Sequence, residues 1–259
     1  VMGVVYRAWA IARLSDLFEW QESWATSALC GFRPELGCDD AVWQAALDVE
    51  AALLHGTPLF GFKIDLVKAF DKIPWSIIFP LARDLGMAPE ILRPLEGMYR
   101  GLQRRFKLGG FVGSPFTSTN GVLQGCPLSV VLMNLIMQIW VNATTARCHA
   151  LRPRSYADDA SGSSEEPSDT TTALQTTHEF CKDTGMEMNV GKTLVWATTT
   201  EGRHVLQDAV GGTDVKVVSH ERLIGAQMTY SRKRIARKDT AILVLATLLV
   251  WAGARAAPH

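Results

Sequence analysis

Apolar residues fall into long stretches with helical spacing, broken by short runs of apolar and aromatic residues that read as strands. The chain opens on a helical pattern reaching about Trp24. A turn-rich loop with Gly31, Pro34 and Gly37 follows. Asp39 or Asp40 then caps a helix whose one side carries Val42, Ala46, Val49, Leu53 and Leu54, with Gly56 as its stop. The run from Pro58 to Leu66 is short, apolar and aromatic, and predicts a buried strand. Beyond it the pattern is a broken helix, limited by Pro74 and Pro80. A helix from about Pro89 to Gln103 carries Leu92, Leu95, Met98 and Tyr99 on its apolar side. Gly-bounded short runs from Arg104 to Val122 predict a hairpin, and a long apolar helix starts near Pro127, where proline suits the first turn.

The C-terminal half continues in the same mixed style. "SYADDAS" reads as strand then turn, Ser168 to Thr184 as a helix stopped by Gly185, and "MEMNVGKTLVWAT" as turn and strand. "RLIGAQM" predicts one more short strand. The basic run "SRKRIARK" leads into an apolar helix from Thr240 to Ala254. Strands, helices and a hairpin in this order make an α+β protein, without the regular alternation of a doubly wound sheet.

Composition refines this picture in few places. With 47% hydrophobic and 20% charged residues in 259, the chain can bury a core as one large domain or two modest ones. Formal net charge is zero, which argues mildly against a nucleic-acid binder, since such proteins usually carry a basic excess. Locally the picture differs: basic residues cluster at Arg100, Arg104, Arg105 and Lys107, at Arg147, Arg152 and Arg154, and in the 231–238 run. Each cluster reads equally well as a solvated face or as a path for phosphates. Five cysteines, an odd number with no C-x-x-C pair, point to a reducing compartment rather than disulfides or zinc. The first residues do not form a signal peptide, because Arg7 and Arg13 interrupt them. The apolar run 240–254 is shorter than the roughly 20 residues of a membrane span, so a buried helix and no membrane partner are expected.

The chemistry starts with "RSYADDASG", in which Asp158 and Asp159 stand side by side where a strand runs out. Asp65 ends the strand "GFKIDL" in the same way, 93 residues earlier (158 − 65). Neighbouring strands would bring these acids to one sheet edge. Carboxylates that close repel one another, and a divalent cation relieves the repulsion. Magnesium favours a few carboxylates, retained waters and substrate phosphates, and two such ions can hold both oxygens of an in-line phosphoryl displacement. Taken alone, each acid reads as an ordinary solvated turn carboxylate.

Four segments in this order, however, resemble the palm motifs of reverse transcriptases, and in particular those of retrotransposons lacking long terminal repeats (LINE-type). They are "KIDLVKAFDKIPW", "NGVLQGCPLSVVLMNLI", "YADD" and "GMEMNVGKT". "GFRPELGCDDAV" resembles the fingers segment, and "RLIGAQ" weakly matches the strand before the thumb. The resemblance implies a right-hand polymerase fold: partial fingers over 1–56, a palm over 57–230 with an antiparallel sheet packed on helices and a fingers insertion at about 76–120, and a truncated thumb beginning over 231–259. It implies an RNA-directed DNA polymerase, a nucleotidyltransferase acting on an RNA template, a DNA primer and dNTP, with no firm protein partner. Two Mg²⁺ (or Mn²⁺) ions would be held by Asp65, Asp158, Asp159 and the main-chain carbonyl of Leu66. Phe70 would stand under the sugar of the nucleotide and exclude a 2′-hydroxyl. Gln124 and Gly125 would contact sugar and triphosphate, Lys192 would meet pyrophosphate charge, and Tyr156 would pack by the primer end. Arg33 would touch template or anchor its own loop.

The chain departs from the family at both ends and after the third motif. It opens at Val1, where the family's basic fingers segment would precede, and Arg7 and Arg13 are weak substitutes. "ASGSSEEPSD" is polar where an apolar strand is usual, so a short or frayed second arm is expected. The chain therefore reads as a fragment of a larger retroelement protein, with a nuclear role implied by resemblance only. The alternatives are a nucleic-acid-binding relic without turnover, and a palm polymerase copying RNA into RNA, against which Phe70 argues.

Overall fold

In a computed structural model, residues 3–231 are described; the basic run 232–238, the helix expected over 240–254 and most of the expected thumb segment lie outside them. The elements are α1 (Val4–Trp24), α2 (Cys38–His55), β1 (Phe60–Ile64), α3 (Ala69–Lys72), α4 (Trp75–Asp84), α5 (Pro89–Gly101), β2 (Lys107–Leu108), β3 (Phe111–Val112), α6 (Pro127–Arg147), β4 (Arg152–Tyr156), β5 (Asp159–Ser164), α7 (Pro167–Thr184), β6 (Leu194–Ala197), α8 (Thr200–Ala209), β7 (Lys216–Val218), β8 (His220–Leu223) and β9 (Ala226–Thr229).

Five strands form one sheet in the order β4-β5-β1-β6-β7. The first four pair antiparallel; β7 joins β6 in parallel at the edge. The α+β expectation and the antiparallel sheet on helices both hold. One sheet face packs on α6 and α7. Phe62 of β1 meets Trp140 of α6 edge-on, with ring centroids 6.5 Å apart. Thirteen of the 21 residues of α6 are buried, which explains why it is apolar all round. By length and composition α6 could cross a membrane, yet here it is the core helix of the domain. The facing helix α7 buries threonines instead. Thr177 receives the Trp140 indole N–H at 2.8 Å and donates to the carbonyl of Ala173, so no polar atom of the pair is stranded.

The opposite sheet face is covered by α2 and by the β8–β9 hairpin. Gly61 pairs with Trp196, and a Cβ there would lie 2.2 Å from the indole, so only glycine lets that ring lie across β1. Trp196 then stacks on Tyr230 with centroids 4.0 Å apart. Asp48 of α2 accepts hydrogen bonds from Ser163 at 2.8 Å, from Arg152 at 3.0 Å and from the buried Arg154.

Several expectations shift on contact with the structure. The second arm after "YADD" is neither short nor frayed: β5 runs six residues between two partners. Its residues are small because large neighbours press on it. A Cβ on Gly162 would meet the Phe62 ring at 2.8 Å, while Ser163 and Ser164 serve Asp48 and Asp169. Pro80 lies inside α4 rather than ending it. Its missing N–H would have met Ser76, and both residues sit on the exposed face, where water replaces that bond. On α2 the buried stripe is Ala41, Ala45, Val49 and Ala52, and Leu54 is 81% exposed. Gly37 rather than an aspartate precedes α2, with Asp40 reaching back to the Gly37 amide at 2.7 Å. "RLIGAQM" forms two strands joined at Gly225, whose φ is +87°. The helix α8 and the strand β7 were not foreseen.

Candidate active site

The site is assembled at the end of the central strands. In β1 and β5 the paired residue numbers sum to 224, as in Ile64 with Ala160, so the next step places Asp65 level with Asp159. Tyr156 pairs with Asp159 across a two-residue turn, Ala157–Asp158. Ala157 takes a left-handed φ of +52°, which an alanine adopts only under constraint. The constraint is visible: Ser155 donates its hydroxyl to the Ala157 carbonyl at 2.8 Å, and Gly31 is pressed so close that a Cβ would lie 2.6 Å from the Ala157 nitrogen. The segment around Gly31 is tied to β4 by Ser155 N–H to Ala28 and Cys30 N–H to Ser155.

Asp158 senses its neighbours. Burial pushes its carboxyl above the ordinary range, and the charges of Asp159 and Asp65 push it further the same way, against a backbone hydrogen bond that lowers it. Asp65 is held by its own carbonyl, which accepts the Asn189 N–H at 2.8 Å, while the Val67 N–H donates to Glu187. These two bonds flank the bridge of Leu66 to Met188, so the Leu66 carbonyl points to the other side. Lys192 reaches Asp65 at 3.7 Å, with its side chain 70% exposed. Asp65, Leu66, Asp158 and Asp159 offer hard oxygen donors of the kind that suit magnesium or manganese. Among the described residues, no trio of His, Cys, Asp or Glu side chains stands ready to hold a metal unaided.

Beside these acids opens a cavity of about 750 Å³, whose wall includes Phe32, Arg33, Phe70, Gln124, Gly125 and Phe18. Phe70 sits half-buried at the start of the short α3. The segment carrying Gln124 is docked on α3 by Val122 N–H to Phe70 (2.7 Å) and Gly121 N–H to Ile73 (2.8 Å), and the Trp75 indole donates to Gly121. A Cβ on Gly121 would lie 2.4 Å from the Asp71 carbonyl, which is what sets residue 121 as glycine. Gly125 has open space around it; its left-handed φ of +79°, not crowding, explains the residue.

Thus Phe70, Gln124, Gly125 and Arg33 share one cavity, and Asp65, Leu66, Asp158, Asp159, Tyr156 and Lys192 gather at the adjoining strand ends. Arg33 does not present its charge to the cavity. Its guanidinium is ion-paired with Glu22 and donates to the carbonyls of Thr26 (2.6 Å) and Leu29 (2.9 Å), which supports the loop-anchoring alternative. The Arg147, Arg152 and Arg154 cluster is likewise paired, with Glu179 and Asp48. Sequence reasoning overlooked Phe32, whose ring lies 5.5 Å from Tyr156; its position between Gly31 and Arg33 was the available signal.

It also overlooked Glu221 in β8, which is 8% exposed, bonds Tyr230 through one oxygen and leaves the other without a partner. Burial, with Asp159 adding and Tyr230 and Lys63 opposing, raises its carboxyl from 4.5 to about 7. Between those values the unfolded chain is ionised while the folded one keeps the proton. Stability therefore falls as pH rises through this window, by about 3 kcal/mol in all. Glu221→Gln is expected to flatten that dependence and to raise stability at pH 8, read by urea denaturation at pH 5 and 8; a variant that tracks the parent at both would refute it.

A largely antiparallel sheet packed on two helices, with acids gathered at its central strand ends, is the arrangement of a right-hand polymerase palm. The structure resembles telomerase from Candida tropicalis with a TM-score of 0.57 at 12% identity, covering 86% of this chain and 43% of that one. It resembles telomerase from Candida albicans, in a complex with a telomeric RNA fragment, with a TM-score of 0.54 at 13% identity, covering 87% and 37%. The profile of the family described as "Reverse transcriptase (RNA-dependent DNA polymerase)" matches residues 5–217, and the chain belongs to that family. A curated relative is the "Retrovirus-related Pol polyprotein from type-2 retrotransposable element R2DM" of Drosophila melanogaster, 25% identical over 168 residues. That match covers 62% of this chain and 16% of the polyprotein, so the chain spans a small part of its relative. It is a reverse transcriptase domain, and its similarity among curated proteins is to a retrotransposon polyprotein. Reverse transcriptases as a family use divalent metal ions.

Proposed function

We propose that this domain transfers deoxynucleotides from dNTP to a primer 3′-hydroxyl on an RNA template. The observation that carries this reading is that Asp65 and the Asp158 turn meet at one end of the central strands, near the cavity walled by Phe70 and Gln124. On this reading the palm is 57–230, which contains every strand of the five-stranded sheet, and 1–56 and about 76–120 supply fingers. Asp65, Asp158, Asp159 and the Leu66 carbonyl would hold two magnesium or manganese ions. Such ions, when bound, neutralise phosphate charge and lower the pKa of the primer hydroxyl.

The chain's own residues position the reactants. Phe70 sets its flat ring under the nucleotide sugar and leaves no room for a 2′-oxygen. Gln124 donates an amide hydrogen bond towards sugar and triphosphate. Lys192, held near Asp65, meets the charge released as pyrophosphate leaves. Tyr156 packs by the primer terminus, and Arg33 fixes the loop that supports the Ala157–Asp158 turn.

The test is incorporation of deoxynucleotides on a primed RNA template. Extension that needs Mg²⁺ or Mn²⁺ is expected, together with a rise in melting temperature when metal and dNTP are added jointly. Salt-sensitive binding of primer–template with no extension and no joint stabilisation would identify a non-catalytic binder instead.

A further inference from the structure

A second cavity of about 810 Å³ shares Gln124 with the first and is walled by Arg104, Arg105, Phe106, Phe116 and Gln124, with Asp71 its single acid. Arg104 brings two guanidinium nitrogens, Nε and Nη2, that are buried with no hydrogen-bond partner. A buried cation without an acceptor is costly, and an anion supplied from outside removes that cost. The backbone around it is well fixed: Arg104 and Phe116 exchange both main-chain bonds at 2.8 Å, and Gly113 N–H donates to Phe106.

The hairpin that carries Arg104 is unusual on its outer surface. Phe106 is 76% exposed and stacks on Phe116 with centroids 4.9 Å apart, and Phe111 at the tip is 85% exposed. The sequence from Gly97 to Val122 holds Arg100, Arg104, Arg105 and Lys107 and no acid, in a chain whose net charge is zero. Of these, Arg100 is paired with Glu96. The other described basic cluster is paired with carboxylates, whereas Arg104 is not. Exposed aromatic faces interleaved with free cations form the surface on which unpaired bases stack while phosphates are neutralised.

We propose that this hairpin face binds the single-stranded RNA template ahead of the copied position, with Arg104 taking a phosphate and Phe106 and Phe111 stacking bases. The inference rests on the polymerase reading of the adjoining site, because a strand entering that cavity passes Gln124. Arg104's phosphate has two sources, the template backbone or the triphosphate of the nucleotide, and the variants separate them.

The experiment measures affinity of the 259-residue chain for primer–template duplexes that are blunt or carry a six-nucleotide 5′ RNA overhang. The overhang is expected to tighten binding about tenfold or more. Phe106→Ala and Phe111→Ala each remove about fivefold or more of that gain and leave blunt-duplex affinity unchanged. Arg104→Gln lowers the salt slope of overhang binding by about 0.7. Both phenylalanines stand in solvent, so their loss spares the core; Arg104→Lys, which keeps the charge, is expected to keep most of the salt slope. An overhang that adds nothing, or variants that weaken blunt and overhang duplexes alike, overturns the inference. So does an Arg104→Gln effect confined to dNTP KM, or a hairpin shown by sedimentation to serve self-association. A chain that extends primers yet ignores the overhang refutes this inference alone; one that binds no primer–template at all refutes the polymerase reading with it.

Discussion

Asp158→Asn is expected to lower deoxynucleotide incorporation by about a thousandfold or more, the scale on which electrostatic stabilisation of a developing charge acts. The same change should make the protein more stable in chelator. Asp158 is half-buried, and its carboxyl is raised by burial and by the charges of Asp159 and Asp65. The folded state thus disfavours the ionised side chain, and asparagine removes the charge while keeping the shape. The gain is read as a rise in Tm of the variant over the parent with chelator present. Adding Mg²⁺ with dNTP reverses the order, because the parent gains a ligand that the variant holds poorly. The paired readout matters: loss of activity with loss of stability would mean a folding defect. Incorporation that survives in Asp158→Asn would remove the acids from catalysis altogether.

This trade-off explains why the acids were the most legible part of the site. A chain gains nothing structurally from adjacent carboxylates at a strand end, so "YADD" and "KIDL" stand out against their local rules. Phe70, Gln124 and Gly125 were legible through the motifs around them, and they do line one cavity. What stayed hidden depends on distant partners. Nothing in "ASGSS" announces a central strand, because its small residues answer to Phe62, Trp196's neighbour Gly61 and Asp48. Arg33 reads either as a template contact or as the anchor of its own loop, and only the pairing with Glu22, 11 residues earlier, decides for the anchor. Glu221 lies just before the strand that the sequence predicts and carries no local signal, and only the folded hairpin with Tyr230 buries it. On α2 the expected side is right except for Leu54: Val49 is buried, Val42, Ala46 and Leu53 pack half-buried at its flank, and the small residues Ala41, Ala45 and Ala52 sit closest to the core, which composition alone does not reveal.

Phe70→Ala is expected to cut discrimination between deoxy- and ribonucleotides by about a hundredfold, the range over which a pocket of fixed shape rejects one extra group. The ring is half-buried, is held by its carbonyl's bond to the Val122 amide at 2.7 Å, and forms part of the cavity wall. The backbone beneath it cannot shift without lifting the Gln124 segment, so an added 2′-oxygen meets a wall set on a fixed backbone. Alanine leaves a void the size of that oxygen and more. The gain should appear as a higher kcat/KM for ribonucleotides, with dNTP values falling by less, since the deoxyribose loses only packing. Truncation also costs stability, about 1–2 kcal/mol for a ring that is partly rather than fully buried. Phe70→Tyr keeps the flat ring and should keep the selectivity, which separates the shape of the wall from general loosening of the pocket. Unchanged discrimination in Phe70→Ala would show that another residue contacts the sugar, and would reopen the reading in which this palm copies RNA into RNA.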